Sequence, residues 1–287
     1  MYKNEFSRLI KECKDSRIYE YVDSKRHYIV KELLTKNRIE GMDREIAICK
    51  QIKNFFPDFP CVIPKQTGKK SVFIQDYIVG KHYLEWKLNT VQKTEIVKQL
   101  IYWINKLEEV EINAQEQITG LQWKNIFQKT ANDRIKRIKE LGIINVDIIN
   151  DIFFWMQKQI KRISCDIRPV YIHNDLNKEN ILINIKDEKV KIFFIDFEKV
   201  MVADPLKEVS KMVWLFRADN ELGNIFWEEY SRINYSDLKV LKAYWIFDIL
   251  YHLEKYNDLK KVKGWDKYLE EEIEILETVT EDNFKLW

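Results

Sequence analysis

Glycine and proline are scarce, at seven and five among 287 residues. The chain therefore offers few breakpoints, no flexible low-complexity linker and no internal repeat. Its four cysteines, Cys13, Cys49, Cys61 and Cys165, have neither metal-ligand nor redox spacing, which excludes a disulfide framework and reads as reduced packing residues. No apolar run approaches the ~18 residues of a membrane span. The opening Met1-Tyr2-Lys3-Asn4-Glu5 has no apolar signal core, so the expectation is a soluble cytoplasmic protein. A net charge of +2 gives no bulk support to a nucleic-acid partner. What the chain does have is apolar mass: 46% hydrophobic and 13% aromatic residues, enough for one large or two small domains.

That mass is unevenly spread. All nine tryptophans follow residue 80. Residues 1–80 hold 16 basic and 11 acidic side chains, whereas residues 201–287 hold 12 and 18. The first 80 residues read as mixed α/β. Arg17–Val22 and His27–Glu32 form a hairpin across the turn Asp23–Arg26, a helix runs from about Asn37 to Asn54 and stops at Pro57, and Cys61–Ile63 and Ser71–Tyr77 are two further strands. Beyond Gly80 the pattern turns helical. Thr90–Glu109 carries an apolar stripe of Ile96, Leu100, Trp103, Ile104 and Leu107, and helices are expected near 122–141, 145–163, 205–218, 222–232, 236–257 and 265–280. The spacing predicts an α+β chain: a small antiparallel-sheet lobe over residues 1–80, a hinge near 77–81, and a larger helical lobe over 81–287.

Within the second region lies His173-Asn174-Asp175-Leu176-Asn177-Lys178-Glu179-Asn180, preceded by the short strand Val170–Ile172 and followed by the hairpin Ile181–Ile183 and Val190–Ile195. That hairpin ends in Asp196-Phe197-Glu198. A single Asp or Asn in a loop is usually a turn former. Here loop, hairpin and acidic strand end come together. They supply what phosphoryl transfer from a metal-bound nucleotide needs: a carboxylate beside the acceptor hydroxyl (Asp175), and an amide oxygen with a second carboxylate for the metal (Asn180, Asp196).

The His-x-Asp-x-x-x-x-Asn loop, the Ile195–Glu198 strand end and the following Asp204-Pro205 resemble the aminoglycoside phosphotransferase and choline kinase superfamily, small-molecule kinases with a protein-kinase-like fold. The resemblance implies that Asp175 orients or accepts the proton of the acceptor hydroxyl, that Asn180 and Asp196 coordinate Mg²⁺, and that His173 and Asp204 support the loops. It implies that Lys31 grips the α/β-phosphates with Glu45 as ion-pair partner, Glu40 and Glu32 being competing carboxylates. The segment Gln75–Val79, with Asp76, Tyr77 and Ile78, would meet the purine of ATP or GTP. The chain departs from the family pattern at three places. Cys13–Arg17, where a phosphate-covering loop belongs, has no glycine, leaving Ser16 as its candidate phosphate donor. Asn177-Lys178-Glu179 lacks the Pro-Gly often found there, and Glu208 stands where Asp is usual.

Helical character resumes about nine residues after Asp196, which leaves little room for a peptide platform and favours a small-molecule acceptor. Trp214, Asp219, Glu228, Trp245, Asp248 and His252 on the C-terminal helices are the raw material of an acceptor pocket, suited to a cationic compound of aminoglycoside type through cation–π and ion pairing. Choline, ethanolamine, thiamine and amino acids are rival acceptors, and a non-catalytic kinase-like protein is the alternative class. Asp248, inside Trp245–Leu250, needs a partner: a ligand, His252 or a lysine.

Overall fold

The computed structural model describes residues 7–22, 26–216, 219–230, 235–262 and 265–278. The chain opens with strands β1 (Ser7–Glu12), β2 (Ser16–Val22) and β3 (His27–Leu33), then helix α1 (Lys36–Phe55), short β4 (Lys65–Gln66), β5 (Val72–Asp76) and β6 (Lys81–His82). Helices α2 (Thr90–Glu108), α3 (Gly120–Leu141) and α4 (Val146–Ile160) follow, then β7 (Val170–Ile172), β8 (Ile181–Lys186), β9 (Lys189–Phe194) and β10 (Met201–Ala203). The remainder is helical: α5 (Pro205–Phe216), α6 (Asn220–Glu229), α7 (Tyr235–Glu254), α8 (Tyr256–Leu259) and α9 (Trp265–Thr278). No helix among the described residues is long and apolar enough to cross a membrane.

Contacts divide the chain into two compact units, residues 1–111 with 173–201, and residues 112–172 with 202–287. This grouping differs from the change of pattern at residue 80. It assigns α2 and the hairpin of β8 and β9 to the first unit, because β9 packs on α2 and β8 pairs with β9. In that unit a five-stranded antiparallel sheet has the order β1-β2-β3-β5-β4, and a second sheet has the order β6-β8-β9. Leu33, Met42 and Phe73 pack between the first sheet and α1. Cys61–Ile63 is not a strand: only Cys61 bridges, beside Phe194, with the Phe194 N–H donating to the Pro60 carbonyl at 2.8 Å. The turn expected over Asp23–Arg26 lies mostly outside the described residues.

Helix limits follow local chemistry. Asn89 and Gln92 form a reciprocal cap at the start of α2, as Thr119 and Gln122 do for α3. Gly142 ends α3 in the left-handed region at φ 64°. In the second unit α3, α4, α5 and α7 pack together, and β7 pairs with β10. Gly120 is sterically required, since a Cβ there would stand 2.5 Å from the Cys165 carbonyl oxygen. The buried core contains Trp123, Phe127, Tyr244, Ile246 and Leu250. Trp123 Nε1 donates to the Tyr244 hydroxyl (2.9 Å), which donates to Asp204 Oδ2 (2.8 Å).

Candidate active site

The first unit brings the candidate phosphoryl-transfer residues together. β3 carries Lys31 inward and α1 turns Glu45 toward it, on the buried face shared by Met42, Ile48, Cys49 and Ile52. Lys31 Nζ lies 3.9 Å from Glu45 Oε2 and 3.5 Å from Asp196 Oδ1. Of the competing carboxylates, Glu40 pairs with Lys36 at the surface and Glu32 faces Arg17. Burial would drive Lys31 toward its neutral form, but Glu45, Asp196 and Glu198 overcome it and hold the ammonium above its ordinary pKa. Burial raises the Glu45 carboxyl, against the pull of Lys31. For Asp196 burial also pushes upward, and Lys31 and Arg38 outweigh it, leaving the carboxyl below its ordinary value.

The loop is built by Asx geometry rather than by glycine. Asn177 Oδ1 accepts from the backbone N–H groups of Glu179 (2.7 Å) and Asn180 (3.2 Å), doing the work of the missing Pro-Gly. Asn180 Nδ2 donates to the Asp175 carbonyl (2.8 Å) and to Asp175 Oδ2 (3.2 Å). Its amide nitrogen is thereby used, so its oxygen is the end left for a cation. The Ile195 N–H donates to the Asn180 carbonyl at 3.1 Å, which brings Asn180 beside the residue preceding Asp196. Asn174 and Asp196 adopt left-handed backbone at φ 61° and 67°, a conformation that Asn and Asp tolerate best among residues with a side chain. His173 is buried against Phe197, with ring centroids 4.4 Å apart. Its Nε2 lies 3.1 Å from the Ile195 carbonyl oxygen, which only accepts, so Nε2 carries the proton. Burial pushes the imidazole pKa below its ordinary 6.5, against Asp175 and Asp196.

Lys199 and Arg38 join the set. Lys199 Nζ donates to Asp175 Oδ2 at 2.9 Å. Arg38 on α1 pairs with Glu198 through Nη1 and lies 3.3 Å from Asp15 Oδ2 through Nε. Nothing local in the sequence pointed to Arg38.

The other candidate residues have varied surroundings. Ser16 begins β2, paired with Leu33, and is buried, so its hydroxyl is not presented by the turn, whose residues are Cys13–Asp15. Asp76 closes β5 opposite Tyr28. The Tyr77 N–H is used by the His27 carbonyl (3.2 Å), and its ring stacks on His27 at 3.6 Å, which leaves Ile78 as the next backbone donor in the hinge segment. Asp204 is buried and caps α5, accepting from the Leu206 N–H at 2.9 Å, and Glu208 is buried on that helix. Asp248 is buried, with Lys207 Nζ at 3.2 Å and Lys211 Nζ at 2.9 Å on its Oδ1. Asp219 caps α6 at the Leu222 N–H (3.1 Å) and Glu228 is exposed at the far end of that helix. Trp214, Trp245 and His252 do form one ring cluster, with Trp245 buried and His252 Nδ1 2.6 Å from Glu272 Oε1. Core packing, capping and ion pairing account for these contacts.

Among the described residues no cluster of three His, Cys, Asp or Glu side chains could hold a metal ion. The chemistry of the Asn180 and Asp196 pair nonetheless suits Mg²⁺. It offers two hard oxygen donors, and Mg²⁺ is usually held by one or two carboxylates together with substrate phosphates and water.

A profile of the phosphotransferase enzyme family matches residues 8–244. No curated protein matches the sequence. The fold is similar to that of the spectinomycin phosphotransferase APH(9)-Ia bound to ADP and spectinomycin, with TM-score 0.66, 17% identity, and 96% and 93% of the two chains covered. It is also similar to the gentamicin complex of APH(2")-IIa (TM-score 0.68, 15% identity, 99% and 93% covered) and to the aminoglycoside phosphotransferase APH(4)-Ia (TM-score 0.69, 12% identity, 97% and 94% covered). With a family profile covering most of its length and this protein-kinase-like architecture, the chain belongs to the phosphotransferase enzyme family.

Proposed function

We propose that the protein is a Mg²⁺-dependent small-molecule kinase that transfers the γ-phosphoryl group of ATP or GTP to a hydroxyl of its acceptor. The observation that carries this reading is the convergence, within one compact unit, of Lys31, Glu45, Asp175, Asn180 and Asp196. Lys31 binds the α/β-phosphates, positioned between Glu45 and Asp196. Asn180 and Asp196 would hold Mg²⁺, which would supply charge neutralisation for the departing phosphoryl group. Asp175, its Oδ2 fixed by Lys199 and Asn180, orients the acceptor hydroxyl in line with phosphorus and takes its proton. His173, neutral through burial, supports the metal strand by its bond to the Ile195 carbonyl.

An aminoglycoside hydroxyl is the first acceptor to test, because the similar structures bind spectinomycin and gentamicin. Choline, ethanolamine, thiamine and amino acids follow. Recognition of a cationic acceptor through Asp248 has no support, since that carboxylate is neutralised from within. The test is Mg²⁺-dependent consumption of ATP and GTP across this panel. Turnover lost in Asp175→Ala supports the assignment. Normal turnover in that variant refutes the role given to Asp175, and absence of both turnover and nucleotide binding favours a non-catalytic protein.

A further inference from the structure

Protein kinases and their relatives cover the nucleotide phosphates with a glycine-rich hairpin, because backbone without Cβ can approach phosphate closely. The corresponding β1–β2 turn here, Cys13-Lys14-Asp15, has no glycine. The structure holds it by other means. The Cys13 N–H donates to the Ser16 carbonyl (2.8 Å), and the Leu34 N–H, just past β3, donates to the Asp15 carbonyl (2.9 Å). Two charge pairs then join the hairpin to the segment carrying the candidate catalytic and metal residues. Lys11 Nζ on β1 lies 2.9 Å from Glu179 Oε2, next to Asn180. Asp15 Oδ2 lies 3.3 Å from Arg38 Nε, and the same guanidinium pairs through Nη1 with Glu198, two residues after Asp196.

We propose that Arg38 is a positioning residue for the nucleotide, holding the glycine-free turn in place through Asp15 on one side and Glu198 on the other. The inference rests on the kinase reading above. Arginine suits the task because its rigid planar fork can engage two carboxylates in different directions, which the single ammonium of lysine does not reproduce. The Lys11–Glu179 pair is more than half exposed on both sides, whereas Arg38 is 30%, Asp15 40% and Glu198 10% exposed. Most of the restraint therefore falls to Arg38. In protein kinases the turn gains its access to phosphate by backbone freedom. In this chain its position is set in advance by side-chain charge.

The test compares wild type with Arg38→Gln, Arg38→Lys, Asp15→Asn and the Arg38→Gln/Asp15→Asn double variant. Hydrogen–deuterium exchange at residues 13–16 is read without nucleotide, and ATP and GTP affinity is read with Mg²⁺ at a checked urea midpoint. Arg38→Gln and Asp15→Asn should each speed exchange at the turn while leaving α2 unchanged, and weaken nucleotide by about tenfold, with Arg38→Lys intermediate. The double variant should be no worse than Arg38→Gln alone, because both changes cut one link. Asp15 lies in an exposed turn, so its variant keeps the test open if Arg38→Gln folds poorly. Unchanged exchange, or additive losses of affinity, overturns the inference while the kinase reading stands. A wild type that binds neither nucleotide defeats the kinase reading and this inference with it.

Discussion

Asp196 in the first unit and Asp248 in the second are both carboxylates set against lysine, and the two surroundings differ in kind. The Asp196 side chain is 29% exposed, and its lysine stands 3.5 Å away while reaching also toward Glu45. Asp248 is 7% exposed and receives two lysines at 3.2 and 2.9 Å on a single oxygen. Both are held below the usual carboxylate range against the opposing effect of burial, Asp248 more strongly. Burial in turn draws Lys207 down to about 8 despite Asp248 beside it. The Asp196 carboxylate keeps access and a lysine that it shares with Glu45. That of Asp248 is neutralised by groups that have nowhere else to go. Charge next to charge is thus not a functional signal until access is known.

The sharpest way to break this comparison is Asp248→Asn, which leaves two lysines facing each other in the core. A stability loss of about 3–5 kcal/mol is expected, read from the urea midpoint. An unchanged midpoint with a raised KM for acceptor would return Asp248 to the binding site. Asp196→Asn should do the opposite, leaving the midpoint near wild type while abolishing Mg²⁺-dependent stabilisation by nucleotide. Next in size is Asp175→Asn, expected to cut turnover about 10³-fold, or about 4 kcal/mol, with nucleotide affinity retained. Pre-steady-state product formation separates the two quantities.

A smaller effect is expected for Lys199→Met, which frees one side of the Asp175 carboxylate. About a tenfold fall in kcat, about 1.4 kcal/mol, with little change in nucleotide affinity would match a group that fixes Asp175. A larger change in nucleotide affinity than in kcat would mean that Lys199 contacts phosphate instead. The smallest effect concerns pH. His173 has its folded pKa below its ordinary 6.5, so on acidification the unfolded chain binds the proton first and stability falls as pH drops below 6.5. His173→Gln should flatten that part of the stability–pH curve relative to wild type, and an unchanged slope would show that another group carries it.

Much of the fold was legible because its signals are local. The strands of the first hairpin and the apolar stripe of α2 each depend on residues within a few positions of one another. Asp175, Asn180 and Asp196 were legible for the same reason, lying on one loop and one adjoining strand end. Cys61–Ile63 misled as a strand because a short β-branched run beside Pro60 and Pro64 has no ladder to join. Asp248 misled in another way. Its helix face was readable, but the lysines that neutralise it lie 41 and 37 positions earlier on α5.

From the sequence alone came the candidate residues for phosphoryl transfer, the order of sheet and helix, and the family resemblance. These are encoded by hydrophobic periodicity and by side chains at fixed short spacing. Tertiary structure decided which carboxylate answers Lys31, that Asp248 belongs to the core, and that Arg38 ties the glycine-free turn to Glu198 across 160 positions of chain. Ion pairs act through space and depend on burial, and no local pattern records how far apart in the folded chain two charges come to rest.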